Sequence, residues 1–513
     1  EELVIDLTSS EKSTFFRFLF LTNTAATMNA FFPIAHALGL ILMLFSTAYT
    51  TPLFVSVWYH DGTAIDFVVS MAFTFLIGLG LWLITYKKRR ELKPRDGFLL
   101  VFCFWTAMAA VATIPLLLAI DKLSFTDAFF ETMSGLSTTG ATVLSGLDKL
   151  PPAINYWRHL LNWLGGMGII VLAVAILPML GIGGMQLYKA ETPGPIKDSK
   201  LAPRITETAK NLWYVYAGIT VACVIALRLA GMDWFEAVCH AYAAMGLGGF
   251  STHDASVGYF NSPAIEAVLI FFMLLAGMNF ATHFLVWHHR SLKIYWQDSE
   301  AKAFLLLVIL SCFVSAAYIW QQGVYNNYWT ALRHVSFNLV SIATDCGFAS
   351  VDYDKWPIVV PLWFLFLSCI AVSSGSTGGG IKMIRYVLFF KNIALEIKRT
   401  IQPDVITSIF VDGKQIKSSI ISSVFGFFAL FILTAFFVTM YLFARGFDLL
   451  TAFSTSISMI GNIGPGLNLT GPSQNYAFFS WYDKIILSFA MIIGRLECYT
   501  VFMMLSRNFW KKF

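Results

Sequence analysis

Charge is what this sequence has least of. Asp, Glu, Lys and Arg make up 13% of its 513 residues, against 57% hydrophobic residues. A soluble domain carries roughly 25% charged residues, so a water-soluble globular protein is excluded. Cysteine is scarce as well. Of the 7 cysteines, Cys103, Cys223, Cys312, Cys369 and Cys498 lie inside apolar runs, with neither metal-ligand spacing nor a disulfide framework. They read as small core residues. His240, His253, His283, His288, His289 and His334 fall on different segments and form no HExxH pattern, which argues against a membrane-embedded metalloenzyme. No GxGxxG or GxxxxGK[ST] follows a strand, so any control by a nucleotide has to come from a partner. The net charge of +5 resides in loops beside apolar runs and gives no sign of a nucleic-acid partner.

What is present is a series of long apolar runs. Each is about 20 residues, enough to cross a hydrocarbon layer of roughly 30 Å. The pattern predicts helices near 32–57 and 65–86, followed by four pairs. The pairs fall near 97–119 and 155–180, 208–230 and 263–287, 301–320 and 357–391, and 417–444 and 484–506. The expectation is thus ten transmembrane helices. The opening residues lack the basic flank of a secretory signal, and 1–31 read as a surface-lying segment on the lipid bilayer. Basic residues gather on one side: KKRRELKPR at 87–95, the loop from Lys189 to Lys210, HHRSLK at 288–293, Lys391 to Arg399, and Arg507 to Lys512. By the positive-inside rule that side is cytoplasmic.

Between the helices of each pair lies a short amphipathic segment that ends on a glycine. The four are Gly140 in SGLSTTGAT, Gly249 in AMGLGGFSTHD, Gly347 in IATDCGFAS and Gly464 in MIGNIGPGLN. Each glycine comes twelve residues after a small or β-branched residue: Ala128, Ala237, Val335 and Ala452. For any single loop, a glycine capping a helix is the ordinary reading. Four in register, all opposite the basic side, ask for more. Irregular backbone is tolerated at membrane depth only where protein surrounds it or it lines a wet cavity. The expectation is four reentrant half-helices that converge on one axis with their partially negative C-terminal ends inward. A ring of carbonyls on that axis replaces the water around a bare cation. The expected ring residues are Thr138, Thr139 and Gly140; Leu247, Gly248 and Gly249; Asp345, Cys346 and Gly347; and Asn462, Ile463 and Gly464. Because the non-glycine members differ between units, the ring should be uneven.

Two further features point below the ring. The third pair contains AVSSGSTGGGIKMIR, and a helix cannot run comfortably through Gly375, Ser376, Thr377, Gly378, Gly379 and Gly380, since each glycine costs about 1 kcal/mol relative to alanine. That helix should break into a polar loop, which reads as a gate; close helix packing is the plainer alternative. Arg495, eleven residues beyond Lys484, would lie roughly 16 Å into the membrane, too deep to reach the headgroups easily. It either pairs with Glu497 or stands in the cavity under the ring as a fixed positive barrier. Lys382 and Arg385 either snorkel to headgroups or transmit partner motion to the gate. The glycines in GGMG (165–168) and GIGG (181–184) read as close helix contacts.

Together these motifs resemble the Trk/Ktr/HKT superfamily of potassium transporters, and within it the bacterial TrkH-type membrane subunit. The resemblance rests on DAFFETMSGLSTTGATV, NWLGGMGIIVLAVAILPMLGIGGMQLY, ETPGPIKDSKLAPRITETAK, GGFSTHDAS, GSTGGGIKMIR, GNIGPGLN and GRLE, and runs from about residue 36 to the C-terminus. It implies one filter glycine per unit and potassium as substrate, with no covalent cofactor. It also implies a homodimer, a cytosolic nucleotide-binding regulatory ring of the TrkA type, and a bacterial cytoplasmic-membrane location. Asp345 departs from the family pattern, in which a small hydroxyl residue is usual beside the third glycine. Its carboxylate either attracts cations at the filter or points behind the loop, to backbone amides or to Arg333 or His334.

The expected fold is an all-α polytopic membrane protein, with four pseudo-symmetric helix–pore-loop–helix units around one pore and two extra helices before them. The divisions are 1–31 surface segment, 32–95 two-helix unit, and pore units at 96–190, 191–293, 294–400 and 401–513. The expected function is potassium uptake through a carbonyl filter gated from below, without enzymatic chemistry. A sodium- or proton-coupled potassium symporter on the same scaffold is the alternative.

Overall fold

The computed structural model describes residues 24–87, 94–166, 168, 205–370, 372–403 and 408–510. The start of the surface segment, the GIGG stretch, most of the loop from Lys189 to Lys210 and the continuation of the first unit's second helix lie outside them. Six helices among the described residues are long and apolar enough to cross a membrane, and eight if two bent pairs each count as one span. Their outer faces carry large apolar side chains in the open, such as Ile65, Leu229, Leu306 and Phe437. Lipid is the solvent for which such a surface is made.

The first helix runs from Thr24 to Ser46 and continues, after a short 3-10 turn, as Thr50–Tyr59; it pairs with Ala64–Thr85. Because it starts at Thr24, it takes in residues that the sequence pattern assigned to the surface segment 1–31. The pairing is close because both helices present glycine where they cross: a Cβ built on Gly39 would lie 2.7 Å from the Gly78 carbonyl oxygen.

Four helical units follow. Their first helices are Pro94–Ala112 with Ile114–Ala119, Ile205–Leu229, Ser299–Gln321 and Ser418–Ala444. Four short helices come next: Phe125–Leu136, Trp234–Gly246, Tyr328–Ala343 and Leu449–Gly461. Each starts on a side-chain cap. Ser124, Asp233, Asn327 and Asp448 accept backbone N–H groups of the first turn, which would otherwise go unpaired. The returning helices hold the main departure from expectation. The pattern predicted continuous helices near 263–287 and 484–506. Instead Pro263–Ala276 and Phe280–His289 meet at 95°, and Trp481–Arg495 and Tyr499–Leu505 at 113°. The third unit breaks where the glycine run predicted, between Val359–Ser368 and Met383–Ile401.

One small element escaped the sequence reading. Phe410–Val411 and Lys414–Gln415 form an antiparallel hairpin. Ile409, Val411 and Ile416 there pack against Ile384, Leu388 and Val424 in a separate apolar cluster.

Candidate functional site

The four short helices end alike. Two residues before each expected ring glycine, the chain turns into the left-handed region, at Thr138 (φ 57°), Leu247 (53°), Asp345 (60°) and Asn462 (57°). The glycines are left-handed too: Gly140 (79°), Gly249 (61°), Gly347 (90°) and Gly464 (99°). An L side chain resists that conformation.

Space decides the matter more firmly than torsion. A Cβ built on Gly140 would lie 2.3 Å from the carbonyl oxygen of Gly248. One on Gly249 would lie 2.0 Å from that of Cys346, one on Gly347 2.4 Å from that of Ile463, and one on Gly464 2.6 Å from that of Thr139. Each glycine therefore abuts the carbonyl that precedes the glycine of the next unit, and the fourth unit returns to the first. The loops close into a ring. All twelve residues expected at the ring belong to these loops.

The ring is braced by residues that sequence reasoning missed. Nine positions before the glycines stand Glu131, His240, Asn338 and Thr455, each bonded to the segment that follows its own loop. Glu131 accepts the N–H of Val143 at 3.0 Å, and the Nε2 atom of His240 lies 3.0 Å from the Ser251 hydroxyl. Asn338 accepts from the Ser350 N–H at 3.1 Å, and the hydroxyls of Thr455 and Thr470 are 2.9 Å apart. Arg158 strengthens the first brace, giving its Nε–H to Glu131 at 2.8 Å and reaching the Ser251 carbonyl of the second unit at 3.3 Å. Both charges are fully buried, a cost offset only because every partner is in place. The available signal was a polar residue at the same offset in all four units, among other polar residues of the short helices.

Beneath the ring lies the glycine-rich loop. Thr377 gives its hydroxyl to the Met245 carbonyl at 2.9 Å, at the end of the second short helix. A Cβ on Gly378 would lie 3.1 Å from the Thr344 carbonyl oxygen, and one on Gly379 2.1 Å from that of Gly461. The loop thus touches the inner ends of the second, third and fourth short helices. Arg495 supplies the contact to the first. Its guanidinium donates to Thr138 Oγ1 (3.2 Å), to the carbonyls of Gly165 (2.5 Å) and Gly166 (3.0 Å), and to the loop carbonyl of Thr377 (2.9 Å). A Cβ on Gly165 would lie 1.8 Å from the Leu136 carbonyl oxygen and one on Gly166 2.6 Å from the Gly246 Cα, so these two glycines of GGMG mark close helix contacts.

For four charged residues the structure excludes one of the expected positions. Glu497 pairs with Arg385 rather than with Arg495. Lys382 and Arg385 are both buried and do not reach headgroups: Lys382 bonds the Gly378 carbonyl, and Arg385 packs over the Phe427 ring at 3.9 Å. Arg333 pairs with Glu266 at 2.7 Å, so it is not the partner of Asp345. The buried Asp345 side chain instead faces the loop: a Cβ on Gly380 would lie 3.4 Å from its Oδ2, and Lys382 and Arg495 are the cations that act on it. Gly375 and Ser376 lie at the near end of the loop, where Gly375 accepts from the Phe280 N–H at 3.1 Å. Among the described residues no cluster of His, Cys, Asp and Glu is arranged to hold a metal ion.

A multi-pass membrane protein whose chain folds back four times onto one axis is the class that fold and site define. The family model described as "Cation transport protein", TrkH, matches residues 64–512. The Trk system potassium uptake protein TrkH of Halomonas elongata is 43% identical over 93% of this chain and 99% of its own length. Its namesake in Escherichia coli K12 is 42% identical over the same shares. The crystal structure of the potassium transporter TrkH from Vibrio parahaemolyticus superposes with a TM-score of 0.85 at 39% identity, covering 94% of this chain and 100% of that one. The chain belongs to the TrkH family of cation transport proteins.

Proposed function

We propose that the chain carries potassium into a bacterial cell across the cytoplasmic membrane, through the closed ring of backbone carbonyls. The ring is the observation that carries this reading. Thr139, Gly248, Cys346 and Ile463 contribute one oxygen each at equivalent positions, and Thr138, Leu247, Asp345 and Asn462 the layer beneath. Neutral carbonyls at fixed radius exchange for hydration water at little net cost, and the helix C-termini behind them favour a positive ion. The relatives' names support potassium as the substrate.

The glycine-rich loop, residues 375–380, is the gate, with Lys382 and Arg495 as its charges. It occupies the floor that an ion leaving the ring must cross, and the Arg495 guanidinium adds a repulsive charge there. Opening means moving the loop. A cytosolic nucleotide-binding ring of the TrkA type supplies that motion, acting on a homodimer of this chain through the cytoplasmic segment 288–300. Its exposed Leu292 and Trp296 suit a docking face. The units at 96–190, 191–293, 294–400 and 401–513 each contribute one loop.

The inside-negative potential supplies roughly 2.3 kcal/mol per charge per 100 mV, so uptake needs no coupling ion. Current through the reconstituted protein tests this. The reversal potential should follow the potassium gradient alone; a reversal that shifts with sodium or proton gradients would make the protein a coupled symporter instead.

A further inference from the structure

One carboxylate outside the ring holds the glycine-rich loop. Glu300 lies in the first turn of Ser299–Gln321, the helix that follows the cytoplasmic segment, and it is buried. Its Oε1 accepts the backbone N–H of Ser374 at 2.7 Å and that of Ile384 at 3.0 Å. Its Oε2 accepts the Ser374 hydroxyl at 2.8 Å. Ser374 stands where the loop begins, and Ile384 is the second residue of the helix that resumes after it. One side chain therefore pins both ends.

The turn bearing Glu300 is itself anchored. Asp298 accepts the N–H groups of Glu300 and Ala301 at 2.9 and 3.1 Å, and the hydroxyl of Thr282 at 2.8 Å. Thr282 belongs to Phe280–His289, the half of the second unit's broken helix that leads into residues 288–293. The loop is also stitched to that break by backbone: Ser373 donates to the Gly277 carbonyl at 2.9 Å. Bonds to a carboxylate are about twice as strong as neutral ones, and losing this one would strand the buried Ile384 N–H and the half-buried Ser374 N–H.

We propose that Glu300 is the positioning residue of the gate: it holds the loop in its occluding conformation and delivers displacement of the cytoplasmic segment 288–298 to both loop ends at once. This rests on the loop being the gate. The test compares Glu300→Ala, Glu300→Gln and Ser374→Ala, each as the full chain reconstituted in liposomes without any partner. Two quantities are read: amide hydrogen exchange of the stretch 373–384 and rubidium uptake. Glu300→Ala should speed exchange there about tenfold and raise unstimulated uptake by a similar factor. Glu300→Gln keeps an oxygen for both amides and an NH2 for the serine but loses the charge, so both quantities should rise only about threefold. Ser374→Ala, which loses only the hydroxyl bond, should speed both about two- to threefold, and it carries the test if the Glu300→Ala chain does not survive purification. Unchanged exchange in Glu300→Ala, or Gln behaving like Ala, would overturn the proposal. Faster exchange with unchanged uptake would overturn the gate reading, and the transmission with it, while leaving Glu300 as the clasp of the loop.

Discussion

In the ring, corresponding residues of the four units do corresponding things. The same offset carries the left-handed turn, the same offset carries the glycine, and the same offset carries the polar brace. In the floor a few ångströms below, they do not. The second unit breaks its returning helix over Gly277, Met278 and Asn279; the third breaks it over a long loop that crosses beneath the other units; the fourth breaks it after Arg495. The difference suits the two tasks proposed for these regions. Surrounding a spherical ion calls for equivalent ligands, whereas blocking and releasing one path calls for a single movable part with distinct neighbours.

The comparison is broken most severely by a methyl group in the ring. Gly249→Ala places a Cβ 2.0 Å from the Cys346 carbonyl oxygen, so that carbonyl must leave the ring. Rubidium uptake by the reconstituted variant should fall about 100-fold or more, with the fold intact by thermal melting. The floor answers with the opposite sign. Arg495→Ala should raise unstimulated uptake about tenfold, and Arg495→Lys only partly less, because one ammonium cannot hold four spread acceptors.

Asp345 stands where the two regions meet, with its backbone in the ring and its carboxyl against the loop. If it serves the floor, Asp345→Thr should change unstimulated uptake by about two- to fivefold while the potassium-to-sodium permeability ratio stays put. A changed ratio would assign the side chain to the ring.

The smallest effect is expected on the outer face. There His253 bonds Asp148 and stacks on Tyr259, its Nε2 lies 3.4 Å from Glu236, and Asp254 accepts the Gly146 N–H, so the first and second loops are tied together. The hydrogen bond from His253 holds the Asp148 carboxyl below the usual carboxylate range. A depressed carboxyl pKa contributes stability that is present above the unfolded value and lost as pH falls through the folded one. The contact should therefore persist at neutral pH and fade only below about pH 4. Asp148 is largely open to water, so Asp148→Asn should lower the melting temperature at pH 7 by only about one degree, and the difference from the parent should vanish in acid.

The ring was legible in the sequence because its signal repeats. A glycine at membrane depth is uninformative alone, yet Gly140, Gly249, Gly347 and Gly464 at one fixed interval could be read as a set. The third unit's break was legible for a related reason, since a glycine run has few other uses inside an apolar helix. The fourth unit's break was not. It depends on left-handed backbone at Glu497 and Cys498, residues whose intrinsic preference gives no warning, and it is stabilised by the distant Arg385. Tertiary partners also decided between the two readings of Lys382, which points inward to the Gly378 carbonyl rather than out to the headgroups. The braces at Glu131, His240, Asn338 and Thr455 were readable from the offset but lay behind the glycines in salience.

Thallium(I), a potassium surrogate that scatters anomalously, tests the ring directly. A structure of the protein with thallium bound should show an anomalous peak on the axis, within about 3 Å of the carbonyl oxygens of Thr139, Gly248, Cys346 and Ile463. Thallium bound elsewhere along the path, with the ring empty, would contradict the account.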